Sequence, residues 1–148
     1  GFSLALACDL LVAAEDAVFV MAYSTIGLSP DGGGSWSLAQ ALSRQLATEL
    51  LMLGGRIGAP RLHQLGVVNQ VAAPGSALDA ALALSQRLNA RAPNALASIK
   101  TLSRQAAELS LEQQLAQESR HFVANLQHDN AGIGIAAFLA KARPKFGA

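Results

Sequence analysis

The sequence has one cysteine, one tyrosine and one tryptophan in 148 residues, and charged side chains make up only 14% of it. Each scarcity excludes something. A lone Cys8 cannot form an intrachain disulfide and fits a reducing compartment. With no His, Lys or Arg beside it in sequence, that thiol is expected to be buried and inert. Eleven basic residues against ten acidic ones give a net charge of +1, which leaves no electrostatic footprint for nucleic acid. Three histidines, His63, His121 and His128, share no metal-ligand spacing with one another or with Cys8, so no metal site is expected and each reads as a surface or helix-face residue. The apolar run LALACDLLVAA is broken by Asp9 and too short to span a bilayer; without a basic leader it does not read as a signal peptide. The chain opens at Gly1 without Met, which leads us to expect that residues precede it.

What is abundant is aliphatic. Half of the residues are apolar, enough for one domain with a hydrophobic core. Gly1 to Cys8 reads as a small-residue buried helix. Leu10 to Ala14 and Ala17 to Met21 read as two buried strands joined by a tight turn at Glu15-Asp16. Helical periodicity runs from Ser35 to Leu53 and stops at Gly54-Gly55. A short helix follows over Pro60 to Leu65, then a strand over Val67 to Ala72. The pair Ser76 and Asp79 resembles a capping box for a helix reaching Ala90. Pro93 opens the next helix, to about Leu109. Ser110 caps a third, with Leu111, Leu115, Phe122 and Leu126 on one apolar stripe, and a last helix is expected from about Gly132 to Ala142. The fold class is α/β at the front and helical behind.

No phosphate-binding glycine loop, dinucleotide fingerprint or Gly-x-Ser-x-Gly elbow occurs. That leaves Asp31, in the stretch AYSTIGLSPDGGGSW, as the best single chemical candidate. Two readings stay open on residue chemistry alone. Asp31 caps the helix beginning near Ser35, or it carries a proton.

The block GFSLALACDLLVAAEDAVFVMAYSTIGLSPDGGGSW resembles the central part of the crotonase superfamily, the enoyl-CoA hydratase/isomerase enzymes. So do Ala47-Thr48-Glu49-Leu50, Leu53-Gly54-Gly55, Leu65-Gly66-Val67-Val68-Asn69 and the tail from Ala136-Ala137-Phe138 to Pro144-Lys145-Phe146. The likeness covers essentially the whole chain. It implies a crotonase (ClpP-like) fold, with residues 1–75 as the C-terminal part of the β/α core and 76–148 as a helical region for oligomerisation and active-site cover. It also implies an acyl-CoA thioester substrate, no separate cofactor, no nucleic-acid or membrane partner, a homotrimer or hexamer at full length, and a cytoplasmic location. In the family, two backbone N–H groups hold the thioester oxygen. By this likeness both lie outside the chain, which alone is then expected to be inactive, while Gly1 marks close backbone approach to the ligand.

The two glutamates of the family's hydratases fall on Ser3 and Tyr23, neither of which is a carboxylate base. The resemblance therefore gives Ser3 a space-filling role and makes Tyr23 a wall of the acyl pocket, with a hydrogen bond available from its hydroxyl. Ile26-Gly27-Leu28-Ser29-Pro30-Asp31-Gly32 is similar to the loop of isomerase-like members, in which one acid after proline shifts a double bond. By the same likeness Ile26, Leu28, Pro30 and Trp36 would line the acyl site and desolvate Asp31. The basic tail, Lys141, Arg143 and Lys145 with Phe146, would lie near the nucleotide end of CoA. A 4-chlorobenzoyl-CoA dehalogenase-like enzyme, with Asp31 as nucleophile, is the second enzymatic expectation, suggested by Ser24-Thr25-Ile26-Gly27. A CoA-ester scaffold with Asp31 as a mere cap is the non-enzymatic one.

Overall fold

A computed structural model describes residues 1–147. The chain divides into two compact units, Gly1–Ala83 and Leu84–Ala148. The first begins with a one-turn helix, α1 (Phe2–Leu6), which leads into β1 (Val12–Ala14) and β2 (Val18–Val20). A 3₁₀ turn at Ser24–Ile26 precedes α2 (Gly34–Ala41) and α3 (Arg44–Leu53). Then come β3 (Arg56–Gly58), α4 (Ala59–Gln64) and β4 (Gln70–Ala72), and α5 (Ala77–Asn89) contains the division between the units. The second unit holds α6 (Pro93–Gln105), α7 (Leu111–Leu126) and α8 (Asp129–Leu139).

The strands correct the expected hairpin. β1 pairs parallel with β4, in the register Val12↔Gln70, and β2 pairs antiparallel with β3, Phe19 facing Ile57. Continuous apolar runs such as Leu11-Val12-Ala13-Ala14 suit a parallel pair, which must be joined by a long crossover rather than a turn. Asn69 locks the register: its Oδ1 accepts from the Leu11 N–H at 2.7 Å and its own N–H donates to the Leu11 carbonyl at 2.9 Å. Strand β3 had no sequence signal. Its three residues sit among Gly54, Gly55 and Gly58 and become a strand only through pairing.

The helix expected over 35–53 is two helices. Leu42 is extended, and the Ser43 hydroxyl accepts from the Leu46 N–H at 3.4 Å, restarting the chain as α3. Apolar periodicity did not reveal this break, because Leu38, Leu42, Ala47 and Leu50 stay buried on both sides of it. They join Phe2, Met21, Ile57, Ala59, Leu62, Val67 and Val68 in one core, with the Phe2 ring 4.9 Å from that of Phe19.

In the second unit Pro93 opens α6 at a position where its missing N–H costs nothing. Ser110 and Gln113 form a reciprocal capping box on α7. Helix α8 starts three residues before the expected Gly132, because His128 caps it by accepting from the Asn130 N–H at 3.1 Å. Among the described residues, no helix is long and apolar enough to cross a membrane and no cluster of side chains could hold a metal ion. Cys8, expected to be buried, is exposed at the end of α1.

Candidate active site

Three residues singled out in the sequence come together in the first unit. The Tyr23 hydroxyl donates to Asp31 Oδ1 at 2.6 Å, the short distance of a charge-assisted bond. The Ser3 hydroxyl lies 3.5 Å from the Tyr23 oxygen, and since the tyrosine proton is committed to Asp31, Ser3 is placed to donate. The eight-residue separation of Tyr23 and Asp31 is closed by the 3₁₀ turn and by Gly27 at φ 74°.

The glycine run after Asp31 has an internal reason. A Cβ on Gly34 would lie 2.5 Å from Ser3 Oγ and 3.0 Å from Met21 Cε, so only glycine lets the start of α2 rest on α1. Ser3 is buried in that contact. Gly33, at φ 74°, is the N-cap of α2, and no side chain caps it. Asp31 gives its main-chain carbonyl to the Gly34 N–H at 3.0 Å, while its carboxylate is turned to Tyr23. The side-chain cap reading of Asp31 is therefore overturned.

A second expectation also fails. Ile26, Leu28 and Trp36 are 70%, 61% and 63% exposed, and Asp31 itself is exposed, so these side chains do not enclose the carboxylate within the chain. Pro30 is half-buried. A Cβ on Gly1 would meet nothing within 4 Å, so its small size answers no contact inside the chain. Beside Gly1 opens a cavity of about 210 Å³, lined by Phe2, Ser3, Met21, Tyr23 and Ile26 among others. Sequence reasoning placed Tyr23 as a pocket wall but missed its bond to Asp31. The signal was slight, a phenol and a carboxylate on either side of a Gly-containing turn.

Lys141 and Phe146 belong to the second unit. Lys141 is exposed and follows α8 in a left-handed conformation, φ 52°. The half-buried Phe146 ring sits over Gly134, where a Cβ would lie 3.5 Å from Cε1, and helps to line a cavity of about 350 Å³ with Phe122 and Ile135. The histidines have structural partners. His63 Nδ1 meets the Val68 carbonyl at 2.8 Å, His121 Nδ1 meets Ser98 Oγ at 3.0 Å, and His128 is the α8 cap.

By comparison with solved structures, the parallel β/α unit with α1 packed on α2 is the partial α/β core of a crotonase fold. The chain belongs to the enoyl-CoA hydratase/isomerase family, whose model matches residues 1–148. It is similar to the crystal structure of an enoyl-CoA hydratase from Polaromonas sp. JS666, with 65% identity and a TM-score of 0.97 over 99% of this chain and 57% of that one. An enoyl-CoA hydratase from Mycobacterium tuberculosis H37Rv matches at 35% identity and a TM-score of 0.92, over 97% of this chain and 57% of that one. Among curated relatives, the 2,3-dehydroadipyl-CoA hydratase of Escherichia coli K12 is 35% identical over 146 residues, which are 99% of this chain and 57% of that protein. The chain thus spans little more than half the length of the relatives it matches.

Proposed function

We propose that this sequence serves an enzyme that moves a double bond in an enoyl-CoA thioester, with Asp31 as the single acid/base. The supporting observation is the Asp31 carboxylate itself: it caps no helix and accepts the Tyr23 hydroxyl at 2.6 Å, in a site whose two hydratase positions hold Ser3 and Tyr23. One carboxylate suffices for the reaction. It takes the proton α to the thioester, the bond electrons pass to the carbonyl oxygen as a dienolate, and the protonated acid returns the proton at the γ carbon. Atoms balance without any cofactor. Lys141 and Phe146 would meet the nucleotide end of CoA, and the assembled enzyme would be a homotrimer or hexamer, which the outward apolar residues of α7 favour.

Hydration of the double bond is the second reading, favoured because relatives carry the names 2,3-dehydroadipyl-CoA hydratase and carnitinyl-CoA dehydratase. The deciding experiment offers a 3-enoyl-CoA and a 2-enoyl-CoA to the complete gene product. Isomerisation yields the conjugated 2-enoyl product from the first; hydration yields a 3-hydroxyacyl-CoA from the second. Asp31→Asn should fold and bind CoA esters yet lose turnover by about 10²–10⁴, the usual contribution of a positioned general base. A wild type without turnover on either substrate, or an Asn variant with full activity, would overturn the assignment.

A further inference from the structure

The cavity beside Gly1 is lined by Ser3 and Tyr23, and Asp31 is not among its lining residues. The carboxylate accepts a hydrogen bond from one of the cavity's lining residues, the Tyr23 hydroxyl, 2.6 Å away. On the cavity side, the only other polar side chain near this hydroxyl among the described residues is Ser3, at 3.5 Å. The Tyr23 hydroxyl is thus the polar group that links Asp31 to a ligand in this cavity. Resting on Asp31 as the acid/base, we propose that Tyr23 is the catalytic residue in contact with the acyl group and that Asp31 acts on the substrate through it.

The step balances as a relay. The α C–H bond breaks and its proton joins the Tyr23 oxygen while the phenolic proton moves along the existing bond to Asp31 Oδ1; the C–H electrons pass into the thioester enolate. Reversal at the γ carbon returns one proton from Asp31 to the phenol and one from the phenol to carbon. Both transfers are concerted, so no free phenolate accumulates, which is what a 2.6 Å charge-assisted bond prepares. Ser3, with its hydroxyl facing the phenol oxygen and its bulk wedged against Gly32 and Gly34, holds the ring in place.

The test compares Tyr23→Phe, Asp31→Asn and the double variant in the complete gene product, reading isomerase turnover and the affinity for a saturated acyl-CoA that cannot react. Residues acting as one unit are non-additive. The relay therefore predicts that each single variant loses about 10²-fold or more. The double variant should be no worse than the poorer single one, and affinity for the inert ligand should hold within a few-fold. Tyr23→Phe retaining turnover within a few-fold while Asp31→Asn loses it would overturn the relay and leave Asp31 as a direct base. Full activity in Asp31→Asn would overturn the underlying assignment instead. Should Tyr23→Phe fail to fold, 3-fluorotyrosine at position 23 decides, since it keeps the shape and makes the phenol more acidic. A changed turnover with unchanged ligand affinity supports the relay, and an unchanged turnover overturns it.

Discussion

In residues 1–83, Leu38, Ala59 and Leu62 are wholly sealed from solvent and a dozen apolar side chains share one core. In residues 84–147, the one buried side chain among those described is polar, Asn130. Helix α7 instead keeps Leu111, Leu115, Phe122 and Leu126 exposed, and α8 does the same with Phe138 and Leu139. What ties these helices together is a chain of amides. Asn130 donates to Asn94 at 2.8 Å, Asn94 to Asn125 at 2.6 Å, and Asn125 to Ser98 at 2.8 Å, where His121 also arrives. The first unit is ordered by volume and the second by direction: apolar packing tolerates small shifts, whereas a run of amide bonds admits one alignment of α6, α7 and α8.

Mutations sharpen that contrast, beginning with the largest effect. Leu62→Ala empties a fully buried site and should destabilise the first unit by about 2–5 kcal/mol in denaturant melts. Gly34→Ala drives a methyl into Ser3 Oγ and should cost about 1–3 kcal/mol. Ser3→Gly in the same chain should recover part of that loss, and no recovery would mean the contact is not the cause. In the second unit Asn94→Ala leaves Asn125 and Asn130 each short of a partner, for about 1–3 kcal/mol. Hydrogen exchange should report that loss in α6, α7 and α8 while the first unit keeps its protection. Phe138→Ala, at a side chain 82% exposed, should move stability by less than about 0.5 kcal/mol. A loss as large as that of Leu62→Ala would erase the distinction between the units. The exposed apolar residues should instead drive association, so sedimentation at rising concentration is expected to show oligomers that Phe122→Ser with Leu126→Ser weakens.

What was legible in the sequence was local. Pro93 and Ser110 announce their helices because a fixed φ and a capping hydroxyl act within one turn. Asp31 stood out as the one carboxylate at a glycine loop. The strand partners were not legible, since three-residue strands have no preference strong enough to choose between a hairpin and a crossover. Ser43 was passed over because a hydrophobic period ran through it unbroken. Cys8 was misplaced for a related reason: an aliphatic neighbourhood in sequence does not show that the chain leaves α1 at Leu6 and turns Cys8 to solvent. The Tyr23–Asp31 bond depends on how a turn folds back, and composition carries no record of that.

The pairing of β1 with β4 also bears on the order in which the chain acquires structure. Leu11 and Asn69, which lock it, are 58 residues apart, so the loop between them must close before these two strands pair. Contacts between α6 and α7 bridge much shorter stretches, such as the 27 residues from Ser98 to Asn125. Folding rates fall as contacts become less local. During synthesis, β1 therefore waits for its partner β4 until residue 72 has followed it.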